Sequence, residues 1–232
     1  MMIKFIFLDL DDTLLDFHRS EAEAIRKTLA AVSGEIPSDD VIQRYSEIND
    51  AQWKRLERGE LTIPEVRLVR FEILFDELGW SVDPVTAHET YERFLCDGHH
   101  MMDGAFAMLE RLYGSYPLYI ASNGTPYMQK KRIADAGIAH FFKDVFISGE
   151  LGAAKPQKAF FDACFARAPQ LDPKDGIILG DSLTSDIRGG QVAGMRTCWF
   201  NPSKKAGRDD IIPDFEIETH EAFFAVLDAL SE

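Results

Sequence analysis

Residues 3–14 read IKFIFLDLDDTL, an apolar run that ends in three carboxylates and a threonine. Ile3, Phe5, Ile6, Phe7 and Leu8 leave neither face polar, so the run reads as a strand buried on both sides of a parallel sheet. Asp9, Asp11 and Asp12 then lie at or just past its carboxyl end, the edge at which open α/β sheets bind ligands. Acids packed this closely repel one another, and a divalent cation relieves the repulsion. The competing reading is a solvated acidic turn in which Asp12 or Thr13 caps a helix.

Further apolar segments extend the pattern outward. Residues 117–122 (PLYIAS), 144–148, 177–180 (IILG) and 196–200 (RTCWF) read as strands, and 215–217 adds a last one. Helical periodicity fills the gaps at 128–136, 157–168 and 185–193, with a closing helix at 221–230. Phe106, Leu109, Leu112 and Tyr113 mark the apolar face of a helix ahead of residue 117. Strand and helix in alternation predict an α/β fold, a doubly wound parallel sheet with right-handed crossovers. Residues 18–100 contain no convincing strand. Ala22, Ile25, Leu29 and Val32 recur at helical spacing, as do Val41, Tyr45 and Ile48, and then Val66, Val69 and Ile73. Ser38, Thr62 and Asp83 are suitable caps. The expected organisation is therefore a core domain of residues 1–16 and 103–232 interrupted by an all-helical domain of residues 17–102.

Composition narrows the function classes. The 232 residues are 46% hydrophobic and 11% aromatic, enough for a packed core. A formal net charge of −14 repels nucleic-acid backbones and anionic membranes, so neither is an expected partner. No segment reaches the roughly 18 apolar residues of a membrane span, and no leader pattern precedes the first strand. Cys96, Cys164 and Cys198 are scattered and read as reduced thiols, giving a cytoplasmic expectation. A monomer or weak homodimer is expected.

Each core strand ends in a residue suited to phosphate chemistry: Asp9 and Asp11, then Ser122 and Asn123, then Asp181 with Asp186 five residues on. Lys155 precedes Pro156, which is placed to begin a helix. These motifs resemble the haloacid dehalogenase-like (HAD) hydrolase superfamily. D-x-D-x-T matches Asp9-Leu10-Asp11-Asp12-Thr13, the strand-end hydroxyl matches Ser122, the lysine matches Lys155, and G-D-x-x-x-x-D matches Gly180, Asp181 and Asp186. The helical insert is similar to the superfamily's type I cap, and the core to its Rossmann-like domain.

The resemblance implies a phosphomonoesterase in which Asp9 attacks phosphorus to form an aspartyl-phosphate and Asp11 serves as general acid and base. It implies a magnesium site of Asp9, the Asp11 backbone carbonyl, Asp181 and Asp186, with Ser122, Asn123 and Lys155 binding phosphate. Residues 49–79 and 197–202 (TCWFNP) resemble the bacterial 5′-nucleotidase branch, which acts on nucleoside monophosphates, often pyrimidine ones. Trp53, Arg67 and Arg70 then either face base or ribose or serve the helical domain's own structure. The alternative within enzymes is a sugar-phosphate or phosphoglycolate phosphatase or a phosphomutase, with a 2-haloacid dehalogenase behind them. His99-His100 reads as surface, because adjacent residues do not share a helix face.

Overall fold

A computed structural model describes residues 3–231. The chain divides into two compact units, one of residues 17–100 and one of the residues before and after it. After β1 (Phe5–Leu8) the chain runs through α1 (Phe17–Ser33), α2 (Asp39–Glu57), α3 (Ile63–Leu78) and α4 (Pro84–Leu95). It then continues as α5 (Ala105–Leu112), β2 (Leu118–Ser122), α6 (Pro126–Asp135), β3 (Phe142–Ile147), α7 (Ser148–Leu151) and α8 (Lys158–Arg167). β4 (Gly176–Gly180), α9 (Arg188–Ala193), β5 (Arg196–Phe200), β6 (Phe215–Ile217) and α10 (Ala222–Ala229) complete it.

The six strands form one sheet of order β3-β2-β1-β4-β5-β6, and every pair is parallel. β1 lies inside the sheet, and its four residues are at most 1% exposed. Successive side chains on a strand point to opposite faces, which sorts them into two cores. Ile6 and Leu8 pack with Met108, Leu109 and Ile120, while Phe5 and Phe7 pack with Tyr119, Phe146 and Phe160. Burying each such side chain contributes about 2–3 kcal/mol. The chain order reverses between β1 and β4, so a crevice opens at the carboxyl ends of those two strands.

Four details differ from the sequence expectation. α5 buries Ala105, Met108, Leu109 and Leu112, whereas Phe106 and Tyr113 are 41% and 55% exposed and pack their ring edges on Phe141. Pro156 does not begin a helix: it follows a cis peptide, and α8 starts at Lys158 behind Gln157. The helix expected at 185–193 is split, with a π-helical stretch Leu183–Ile187 leading into α9. Finally, Met101 bridges Leu15 and the Met102 N–H donates to the Leu14 carbonyl, so residues 101–102 belong to the α/β unit rather than to the helical insert.

The helical unit has its own core of Ile25, Leu29, Tyr45, Ile48, Phe71, Leu74 and Tyr91. Asp83 caps α4 by accepting the Val85 and Thr86 N–H groups, and Glu65 returns a carboxylate to the Thr62 N–H at the start of α3. Gly79 ends α3 at φ 66°, a left-handed conformation that favours glycine. Cys96, Cys164 and Cys198 are buried free thiols. No described helix is long and apolar enough to cross a membrane.

Candidate active site

Asp9 continues β1, and its N–H donates to the Leu179 carbonyl of β4 at 2.9 Å. That ladder bond stations its carboxylate where the strand order reverses. The Lys155 ammonium donates to Asp9 Oδ1 at 2.5 Å, to Asp186 Oδ1 at 2.6 Å and to the Ala121 carbonyl at 2.6 Å. All three of its protons are therefore placed, on a side chain only 2% exposed. Asp186 also accepts the Ser182 N–H at 3.1 Å. Gly180 is required here, because a Cβ on it would stand 2.3 Å from the Asp186 carboxyl carbon. Asp181 follows β4; the Trp199 indole donates to its carbonyl at 2.8 Å, and Lys205 reaches its carboxylate at 3.5 Å.

Carboxylate oxygens of Asp9, Asp181 and Asp186 lie within 4.8 Å of one another. Burial pushes the Asp9 carboxyl well above the usual carboxylate range, and the Asp186 charge adds to the rise. Burial likewise pushes Asp181 up to about 7, assisted by Asp186 and Asp12. For Lys155, burial pulls the ammonium down, but Asp186 and Asp9 outweigh it and hold it above its ordinary value. One buried ammonium thus faces three carboxylates. That surplus of negative charge in a low-dielectric crevice suits a hard cation with oxygen ligands.

The Asp11 side chain takes no part in this cluster. Arg132 Nη1 donates to its Oδ1 at 2.5 Å and Gln129 Nε2 to its Oδ2 at 2.7 Å. Asp12, between the cluster and the next turn, sits at φ 55°, a left-handed conformation that aspartate tolerates better than most residues. The Thr13 carbonyl is 2.7 Å from Nε2 of buried His220, whose Nδ1 is 2.9 Å from the Asp103 carbonyl.

Ser122 ends β2 with its hydroxyl 2.8 Å from Gln129 Nε2. The Asn123 side chain is committed to the lysine loop: it accepts the Lys155 N–H at 2.9 Å and donates to the Lys155 carbonyl at 3.0 Å. Its side-chain amide therefore braces the backbone of Lys155. The Gly124 N–H donates to Ser148 Oγ at 3.0 Å.

Asp9, Lys155, Asp181 and Asp186 thus converge directly, and Asp11 and Ser122 are joined through Gln129. Gln129, Arg132 and Trp199 were not singled out from sequence. The available signal was Gln129 and Arg132 three apart on the helix after the second motif, which places them on one face. Arg70, one of three candidates for base or ribose, is 4% exposed inside the helical unit; it donates to Asn49 at 2.9 Å and packs over the Tyr91 ring.

The model for haloacid dehalogenase-like hydrolases matches residues 3–194. The chain belongs to that family. The HAD-hydrolase YfnB of Bacillus subtilis is 41% identical over 96% of this chain and 94% of its own length. The YfnB crystal structure bound to magnesium superposes with a TM-score of 0.94, at 39% identity over 98% of this chain and 100% of that one. The pyrimidine 5′-nucleotidase PynA of Streptococcus pneumoniae is 32% identical over 98% of this chain and 96% of its own length. Its counterpart YjjG of Escherichia coli is 28% identical over 92% and 93%.

Proposed function

We propose that this HAD enzyme is a magnesium-dependent phosphomonoesterase that hydrolyses pyrimidine nucleoside 5′-monophosphates through an aspartyl-phosphate on Asp9. The observation that carries the reading is the different setting of the two acids of the D-x-D pair. Asp9 lies 2.5 Å from the Lys155 ammonium and within the three-acid cluster, whereas Asp11 stands outside that cluster with a side chain 25% exposed. Asp9, once a bound cation balances its charge, is placed to attack, and Asp11 is placed to handle protons. Magnesium would be held by Asp9, Asp181 and the Asp11 backbone carbonyl, with Asp186 supporting, and when bound it would screen phosphoryl oxygens from the incoming carboxylate.

In the first half-reaction an Asp9 oxygen bonds to phosphorus as the ester P–O bond breaks, and Asp11 gives its proton to the departing oxygen. Lys155 and the Ser122 hydroxyl stabilise charge on the phosphoryl oxygens. In the second, Asp11 takes a proton from water as the water oxygen bonds to phosphorus, releasing inorganic phosphate and restoring Asp9. A dehalogenase needs no group in the Asp11 position, because halide leaves without a proton. The pyrimidine specificity rests on the similarity to PynA and YjjG.

The test is phosphate release from UMP, dUMP, dTMP, phosphoglycolate and hexose phosphates, each with magnesium and with chelator, alongside chloride release from 2-chloropropionate. The expected result is magnesium-dependent hydrolysis led by the pyrimidine nucleotides. Faster turnover of phosphoglycolate or a hexose phosphate would overturn the substrate, and chloride release without phosphatase activity would overturn the reaction.

A further inference from the structure

Both oxygens of the Asp11 carboxylate are held from a single helix face. Gln129 and Arg132 stand on adjacent turns of α6, and each is 0% exposed. Arg132 Nη1 donates to Asp11 Oδ1 at 2.5 Å and to the side-chain oxygen Oε1 of Gln129 at 2.9 Å. Gln129 Nε2 has two protons and two acceptors, Asp11 Oδ2 at 2.7 Å and Ser122 Oγ at 2.8 Å. The Gln129 side chain lies against Gly124, where a Cβ would approach it to 3.0 Å. A buried guanidinium is costly unless paired, so this helix is built around the acid it meets.

From this closed chain of contacts we infer that Gln129 and Arg132 are positioning residues: they fix the Asp11 carboxylate for proton transfer and orient the Ser122 hydroxyl. Because the Ser122 oxygen accepts from Gln129, its single proton is left to donate to a phosphoryl oxygen. Arg132 Nη1 on one oxygen and the Gln129 amide on the other leave Asp11 little rotational freedom. General acid catalysis depends on such placement, since a proton donor acts only within hydrogen-bond reach of the leaving atom. The inference rests on the phosphatase reading above, in which Asp11 protonates the leaving oxygen.

Leaving-group dependence separates positioning from mere structural support. An alkoxide needs a proton to depart and p-nitrophenolate does not. kcat/KM covers the steps through departure of that group, so it is the parameter to compare. Arg132→Met in the full-length enzyme is expected to lower kcat/KM by about 10²-fold on the alkyl monoester that wild type turns over best, and by less than about fivefold on p-nitrophenyl phosphate, whereas Gln129→Met, which also releases the Ser122 hydroxyl, should add a loss common to both esters. Arg132→Lys is expected to recover part of the loss. In an Asp11→Asn background the added loss from Arg132→Met should vanish, because the group it positions is gone. Equal losses on both esters, or an undiminished loss in the Asp11→Asn background, would overturn the inference. If Arg132→Met does not fold, Gln129→Met carries the test through the excess of its loss on the alkyl ester over its loss on p-nitrophenyl phosphate. A wild type inert toward both esters sinks the phosphatase reading, and the inference with it.

Discussion

Two of the places where the described residues bury charge, one in each unit, balance it differently. In the α/β unit, the Lys155 ammonium confronts Asp9, Asp181 and Asp186, and the acids outnumber it. In the helical unit, Glu21 is 2% exposed and accepts from Ser46 and Asn49, while Arg70 donates to Asn49 and lies 3.4 Å from His88. There one acid is matched by one cation across a shared amide. Burial pushes Glu21 up to about 7, and burial and Arg70 bring His88 down to about 4, which keeps it neutral. Buried charge alone is therefore no mark of a functional site in this protein. What distinguishes the strand-end cluster is uncompensated acid at a topological switch point.

Removing the cation from each region tests the contrast most severely. Lys155→Met should cost about 10³-fold or more in kcat/KM and about 3–5 kcal/mol in stability, since it strips a phosphoryl-stabilising charge and leaves buried acids unpaired. Arg70→Met should cost a similar amount of stability, read by urea unfolding, yet change kcat by less than about threefold in the folded fraction. An Arg70→Met enzyme as inactive as Lys155→Met would erase the distinction.

The acid surplus predicts how cation removal reads out. Asp181 has its pKa raised from 3.8 to about 7 in the fold. A raised carboxyl destabilises its charged form, so cation-free protein should lose stability as pH rises from about 4 to about 7, by up to about 4 kcal/mol. Magnesium should therefore raise Tm strongly at pH 8 and hardly at pH 5, and Asp181→Asn should remove most of that difference. A magnesium shift equal at both pH values would contradict the surplus.

The balanced region gives a smaller signal. Glu21 rises from 4.5 to about 7, so its burial costs stability as pH climbs through that window, while His88, lowered from 6.5 to about 4, produces the opposite slope over nearly the same range. The two nearly cancel in wild type. Glu21→Gln removes only the first, so its stability relative to wild type should increase by up to about 3 kcal/mol between pH 4.5 and 7. Smallest of all, Lys205→Ala removes a half-exposed ammonium 3.5 Å from Asp181 and should alter kcat/KM by less than about threefold, because solvent screens such a pair.

The strands and the direct cluster were legible in the sequence because each carries a fixed chemical signature at a fixed place. Apolar runs ending at Asp9, Ser122 and Asp181 mark strand ends, and Gly180 foretells the close approach of Asp186. Gln129 and Arg132 were not legible, because polar residues on a short helix read as its solvent face unless their buried partner is known. Arg70 and Glu21 were opaque for the same reason: their link through Asn49 is tertiary. The α5 face was misjudged by one position because Phe106 and Tyr113 pack on Phe141 at the margin rather than under the sheet.

Asp9 as the attacking group is the step on which every other assigned role depends. Enzyme quenched in acid during turnover of UMP with magnesium, then digested and mapped by mass spectrometry, should carry a phosphoryl group on the peptide containing Asp9, and Asp9→Asn should show neither adduct nor turnover. Unimpaired hydrolysis by Asp9→Asn, or a phosphoryl group found on another residue, would contradict it.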